Sequence, residues 1–131
     1  MPRLAIAYAA TAIVMVVLDL LWLGVVARPL YQQGIGHLMA ERPNIAVATL
    51  FYAVYALGLV VFAVAPNADA GWGKTMRDAA LFGFFAYATY DLTNLATLKD
   101  WPVGVSLLDM AWGSLLSALA AAAGKAARSI G

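Results

Sequence analysis

Apolar residues run along this chain in four long stretches, at about 4–27, 44–65, 75–98 and 102–123. A helix that crosses a bilayer needs roughly 20 mainly apolar residues, because it must span a hydrocarbon core about 30 Å thick. All four stretches are long enough. The breaks between them have local causes. Arg28-Pro29 ends the first, since proline cannot continue the hydrogen-bond ladder. Pro66-Asn67 and the glycines Gly71 and Gly73 separate the second from the third. Asp100-Trp101-Pro102 forms a tight turn, with Pro102 suited to the first position of the fourth helix. The last two connections are short, so successive helices run antiparallel. The predicted fold class is all-α: one integral-membrane domain over residues 1–131, built as an antiparallel four-helix transmembrane bundle. The longer segment 29–43 carries Ile35, Leu38, Met39 and Arg42 and admits two readings, a short interfacial helix or a plain loop.

Composition agrees with a lipid setting. Hydrophobic residues make up 64% of the 131 and charged residues 11%, against about 25% charged in an ordinary soluble domain. The net charge of +1 and the lack of basic runs argue against nucleic acid as a partner. With no cysteine, disulfides, thiolate metal sites and cysteine nucleophiles are all ruled out.

The first apolar stretch is too long for a signal peptide, and Leu20-Leu21-Trp22-Leu23 is no small-residue cleavage site, so it reads as a retained anchor. Arg3, Lys74, Arg77, Lys125 and Arg128 fall on the side of the termini, and Arg28, Arg42 and Lys99 on the other. Five against three favours both termini in the cytoplasm. Trp72 and Trp101 stand at opposite ends, as interfacial anchors do.

Three carboxylates interrupt the apolar stretches. Asp19 lies nine residues before Arg28, Asp91 eight before Lys99, and Asp109 seven after Pro102. At 1.5 Å per residue, each is roughly 10–14 Å from the same end of the bundle. Tyr87, Asp91 and Asn94 share a helix face, flanked by Tyr90. Asp109 and Trp112 form a stripe, as do Asp19 and Trp22. The second stretch offers Thr49, Tyr52 and Tyr55 at similar depth, read as packing residues. No Lys or Arg lies in the central part of any stretch. Three close carboxylates cannot all stay ionised at low dielectric, so a proton, a cation, a cationic ligand, or Arg28 or Lys99 from the rim must compensate them. The candidate ligand- or proton-binding residues are therefore Asp19, Asp91 and Asp109, with Asn94, Tyr87 and Tyr90 orienting a ligand and Trp22 and Trp112 walling it.

The same residues admit a purely structural reading, since polar side chains also join membrane helices at roughly 0.6–2 kcal/mol per contact. Asp19 could bond a tyrosine hydroxyl, and Asp109 could bond Asn94. Gly58, Gly83 and Gly113 would permit close helix approach. His37, the sole histidine, falls in the 29–43 connection. There is no glycine-rich phosphate loop, HExxH site or nucleophile elbow, so no cofactor and no metal site is assigned. The residue types alone would suit a hard cation such as Mg²⁺. Tyr90-Asp91 with Asp109 resembles the aspartate pair of intramembrane aspartyl proteases, but that family's Gly-x-Gly-Asp stands here as Ser106-Leu107-Leu108-Asp109.

The run from Tyr90-Asp91-Leu92-Thr93-Asn94 through Lys99-Asp100-Trp101-Pro102, followed by Asp109-Met110-Ala111-Trp112-Gly113, resembles a family of predicted bacterial membrane proteins, domain of unknown function 2177. Asp19 with Trp22, and Pro43-Asn44 ahead of Phe51-Tyr52, are similar to its pattern as well. The resemblance implies a four-span inner-membrane protein and carries no catalytic residues. Three functions compete. The first is a small transporter or binding protein for a proton, cation or small polar ligand, acting as a homo-oligomer. The second is an intramembrane enzyme acting on a lipid or isoprenoid, which needs an apolar groove open sideways to the bilayer. The third is an accessory subunit of a larger membrane complex, which needs a flat small-residue face and no pocket.

Overall fold

The computed structural model describes residues 2–39 and 44–130. The described residues are helical throughout, with no strand: α1 (Pro2–Leu21), α2 (Arg28–Ile35), α3 (Ile45–Leu59), α4 (Trp72–Thr97) and α5 (Val103–Ile130). Two π-helical turns extend this set, Trp22–Val26 after α1 and Val60–Val64 after α3. Among the described residues three helices are long and apolar enough to cross a membrane: Arg3–Val26, Ile45–Val64 and Val103–Ser129. The 26-residue α4 matches them in length but carries Lys74, Arg77, Asp78 and Asp91.

Helix ends follow the sequence punctuation. The widened turn Trp22–Val26 closes with a bond from the Ala27 N–H to the Trp22 carbonyl. Ala27 leaves helical geometry, and Pro29 sits in the first turn of α2, where its missing N–H does no harm. The Asn44 side chain accepts from the Val47 N–H and caps α3. Asp100 takes a left-handed conformation (φ 61°) and turns the chain from α4 into α5. The last helix runs on to Ile130, beyond the apolar stretch that predicts it, because alanine and the long side chains of Lys125 and Arg128 favour helix. The 29–43 connection resolves as α2 and a 3₁₀ turn, Gly36–Leu38, rather than a plain loop. Its Arg42, and Pro43 after it, lie outside the described residues.

α5 is the central helix. It packs along α1 on one side and α4 on the other, while α3 packs on α1 and reaches α4 and α5 through its π-helical end. Small residues let the backbones approach. A side chain on Gly83 would strike Ser117 and the Gly113 carbonyl, and one on Gly113 would strike the Tyr87 ring. The core joins Met15, Leu59, Val64 and Leu116 with Ala7, Ala63, Ala79 and Ala120. Lipid gives no hydrophobic drive between helices, so dispersion and interhelical hydrogen bonds hold them. One such bond is Tyr8 hydroxyl to the Ala53 carbonyl (2.9 Å), and another joins the Tyr55 and Ser117 hydroxyls (2.6 Å). The outer surface is apolar, with Ile13, Leu20, Leu50, Val54, Phe62, Phe85 and Leu107 all exposed. Such a surface is stable against lipid and not against water.

Candidate functional site

The short helix α2 builds one wall of the site. Its Tyr31, Gly34 and Ile35 recur at helical spacing and turn toward α5: a side chain on Gly34 would strike Val105 and Pro102, and Tyr31 is buried with Ala27 and Val105. The Tyr31 hydroxyl therefore enters the bundle and donates to Asp109 Oδ1 at 2.7 Å, while Trp22 Nε1 donates to the Tyr31 oxygen at 3.3 Å. Burial first, and the Asp109 charge after it, hold the Tyr31 phenol well above the ordinary tyrosine range. It thus stays a donor at any ordinary pH.

Asp19 is held differently. It accepts from the Tyr52 hydroxyl at 2.6 Å and from Trp112 Nε1 at 2.9 Å, which ties α1 to α3 and α5. Trp112 stands one turn beyond Asp109 on α5, so Asp19 and Asp109 occupy neighbouring levels. The Trp22 and Trp112 rings stack at 4.4 Å, 5° from parallel; Trp112 serves Asp19 directly, and Trp22 is linked to Asp109 only through Tyr31.

Asp91 is the exception. It is 0% exposed, and neither of its oxygens receives an N–H or O–H from the described residues. Its carboxyl instead shares a cavity with the Asp109 carboxyl. Two acceptors bond each other only with a proton between them.

Asp19, Asp91 and Asp109 all line one cavity of about 440 Å³. Aromatic rings supply much of the rest of its wall: Tyr31, Phe51, Tyr55, Tyr87, Tyr90 and Trp101. Leu23, Ile35, Met39 and Val105 add aliphatic surface. Tyr55 and Tyr87 meet edge to face (6.0 Å, 87°), as do Tyr90 and Trp101 (5.8 Å, 89°). Among the described residues no Lys or Arg lines the cavity. Where α3 and α4 touch, around Gly58, Phe62 and Phe82, the space is closed. Four of the lining residues, Phe51, Tyr90, Leu23 and Met39, are exposed and form a rim to the cavity.

Of the residues singled out in the sequence, Asp19, Asp91, Asp109, Tyr87 and Tyr90 line this space. Asn94 does not, and makes no hydrogen bond to Asp109. Trp22 and Trp112 do not wall it either; they stand behind it as hydrogen-bond donors. Arg28 and Lys99 do not compensate the carboxylates, because among the described residues the one ion pair is Arg77–Asp78 (3.0 Å), on a different part of α4. Among the described residues no three His, Asp or Glu side chains are arranged to hold a metal ion. The exposed His37 lies outside the cavity lining. Sequence reasoning passed over Tyr31, and it read Tyr52, which donates to Asp19, as a packing residue. The spacing of Tyr31, Gly34 and Ile35 after a proline helix start was the signal for the first.

A family model described as "Predicted membrane protein (DUF2177)" matches residues 4–126. The chain belongs to this family. Membership covers all five helices and every residue of the cavity wall, and it describes a membrane protein without assigning an activity. No curated protein and no solved structure matches the chain.

Proposed function

We propose that this member of the family is a four-span bundle of a bacterial inner membrane, with antiparallel helices and both termini cytoplasmic. Its cavity binds a small ligand at the Asp91–Asp109 pair. The length of α4 and its close packing along α5 support the fourth span. The single observation that carries the site is the unpartnered, fully buried Asp91 carboxyl in a cavity shared with two other carboxyls, where the described residues place no Lys or Arg. An ionised carboxylate left without partners in a low-dielectric site is strongly unfavourable. The pair therefore needs one positive charge between its members, either a proton or a cationic group of the ligand, and exchange of the two is the basis of binding or transport. Four helices are few to enclose a full path across the membrane, so a second copy completes it.

Infrared spectroscopy of the protein in lipid tests this reading. A protonated carboxyl gives its own C=O stretch. That band should be present in the ligand-free protein, lost in both Asp91→Asn and Asp109→Asn, and kept in Asp19→Asn. A spectrum without the band, or one unchanged by Asp91→Asn, refutes the reading.

The exposed rim favours a second reading, an enzyme that takes a lipid from the bilayer and uses one carboxyl as acid and the other as base. Incubation with a total lipid extract, followed by mass spectrometry, should then reveal a new product absent with Asp91→Asn. No product across a broad panel of lipids eliminates it. The cavity itself counts against a purely accessory subunit.

A further inference from the structure

We infer that the ligand is an organic monocation, an ammonium carrying apolar groups, which enters from the bilayer between α3 and α4. This rests on the reading of the Asp91–Asp109 pair given above and adds the chemical class of what the pair receives.

Three independent features converge on that class. The first is charge: among the described residues the wall holds three carboxyls and no basic side chain, which disfavours an anionic ligand. A neutral one brings no charge to exchange for the proton that Asp91, 0% exposed and without a donor among the described residues, otherwise needs. The second is the wall chemistry. A metal ion needs several oxygen, nitrogen or sulfur ligands, and the described residues offer no such set. The wall is instead dominated by aromatic and aliphatic carbon, which matches the substituents of an organic cation. The third is ring geometry. The two perpendicular pairs, Tyr55–Tyr87 and Tyr90–Trp101, give the cavity aromatic corners. Ring faces attract cations, and aromatic boxes with a carboxylate are a recurring solution for substituted ammonium groups. The volume, about 440 Å³, lies in the range of small-molecule sites. The exposed rim at Phe51 and Tyr90 lets an apolar tail remain in lipid while the charged group reaches Asp91.

The test is a titration of the protein in nonionic detergent, followed by tryptophan fluorescence and calorimetry, with three probes of matched size. These are benzyltrimethylammonium, its uncharged carbon isostere neopentylbenzene, and phenylmethanesulfonate. The ammonium should bind, and the other two should bind at least about tenfold more weakly, as expected when a charged hydrogen-bonding or ion-pairing partner is lost. Asp91→Asn should weaken the ammonium at least about tenfold and Asp78→Asn, far from the cavity, should not. If Asp91→Asn fails to fold, Phe51→Ala at the rim should still weaken it about threefold. Equal binding of the isostere or the sulfonate, or ammonium binding indifferent to Asp91→Asn and Phe51→Ala, overturns the inference. An absence of ammonium binding with the shared-proton infrared band intact overturns this inference alone; an absence of both overturns the pair as well. Choline against phosphocholine, each on a dodecyl chain, tells a free ammonium from a lipid headgroup. Tighter choline binding identifies the free cation, and equal binding identifies the headgroup.

Discussion

The two ends of this helical assembly bury polar groups in opposite ways. Away from the cavity, Lys125 is buried near the end of α5, and its ammonium is saturated. It donates to the carbonyls of Asn67 (2.8 Å), Ala68 (3.4 Å) and Ala70 (2.9 Å) and lies 5.7 Å from the Trp72 ring centre. Asn67 in turn donates to the Ala63 carbonyl (2.9 Å) and to Asp78 (2.8 Å). Lys125, Asn67 and Asp78 thus bond one another or the backbone, although Thr75 Oγ1 and Arg128 Nε nearby stay unpartnered, and the result is a clasp that closes the α3–α4 turn on α5. At the cavity end, among the described residues, Asp19 has two donors, Asp109 has one from Tyr31, and Asp91 has none. A buried charge by itself does not mark a site of action. An incomplete set of partners does, because selection for stability alone would fill it or replace it with carbon.

This contrast can be broken by substitution. The largest effect is expected for Lys125→Met, which removes the ammonium donor from three carbonyls, one buried and two part-buried. It should lower unfolding stability by about 2–4 kcal/mol, measured by denaturant titration in detergent. A loss near zero would mean that the clasp is not saturated in the sense argued. Next comes Asp19→Asn: one amide oxygen cannot serve both the Tyr52 and Trp112 donors, so a loss of about 1–2 kcal/mol is expected in the same assay. If this variant is as stable as the parent, Asp19 belongs with Asp91 rather than with Lys125. Tyr31→Phe should cost about 1 kcal/mol, the size of one hydrogen bond. It should also shift the carboxyl stretch of the Asp109 pair, which a merely packing role for the ring would leave in place.

Much of this architecture was legible in the chain, and the illegible parts share a cause. Pro29, Pro66 and the Asp100-Trp101-Pro102 turn mark helix ends because their backbone chemistry is local. The membrane character and the all-helical fold follow from apolar runs that no aqueous surface could accommodate. The aspartates stand out because a carboxylate in such a run is costly. Tyr31 did not stand out, since its entry into the bundle depends on the widened turn Trp22–Val26 and on the path of α2 against Val105. Neither is encoded by residue spacing alone. Trp22 and Trp112 sit on the faces their spacing gives, but an indole can offer a ring face or an N–H, and side-chain rotamer decides which. Asn94 lies nearly one turn past Asp91 on α4 and falls outside the cavity lining. The difference between Asp19 and Asp91, on which function turns, is a matter of donors brought from other helices. Only the packed structure contains it.

The most direct test is the unfolding free energy of Asp91→Asn beside that of Asp19→Asn, in the same detergent without ligand. An unpartnered Asp91 predicts that its neutral amide leaves stability unchanged or raises it by up to about 1 kcal/mol, while Asp19→Asn lowers it. Equal losses in both variants would contradict this, and would make Asp91 one more strut between helices.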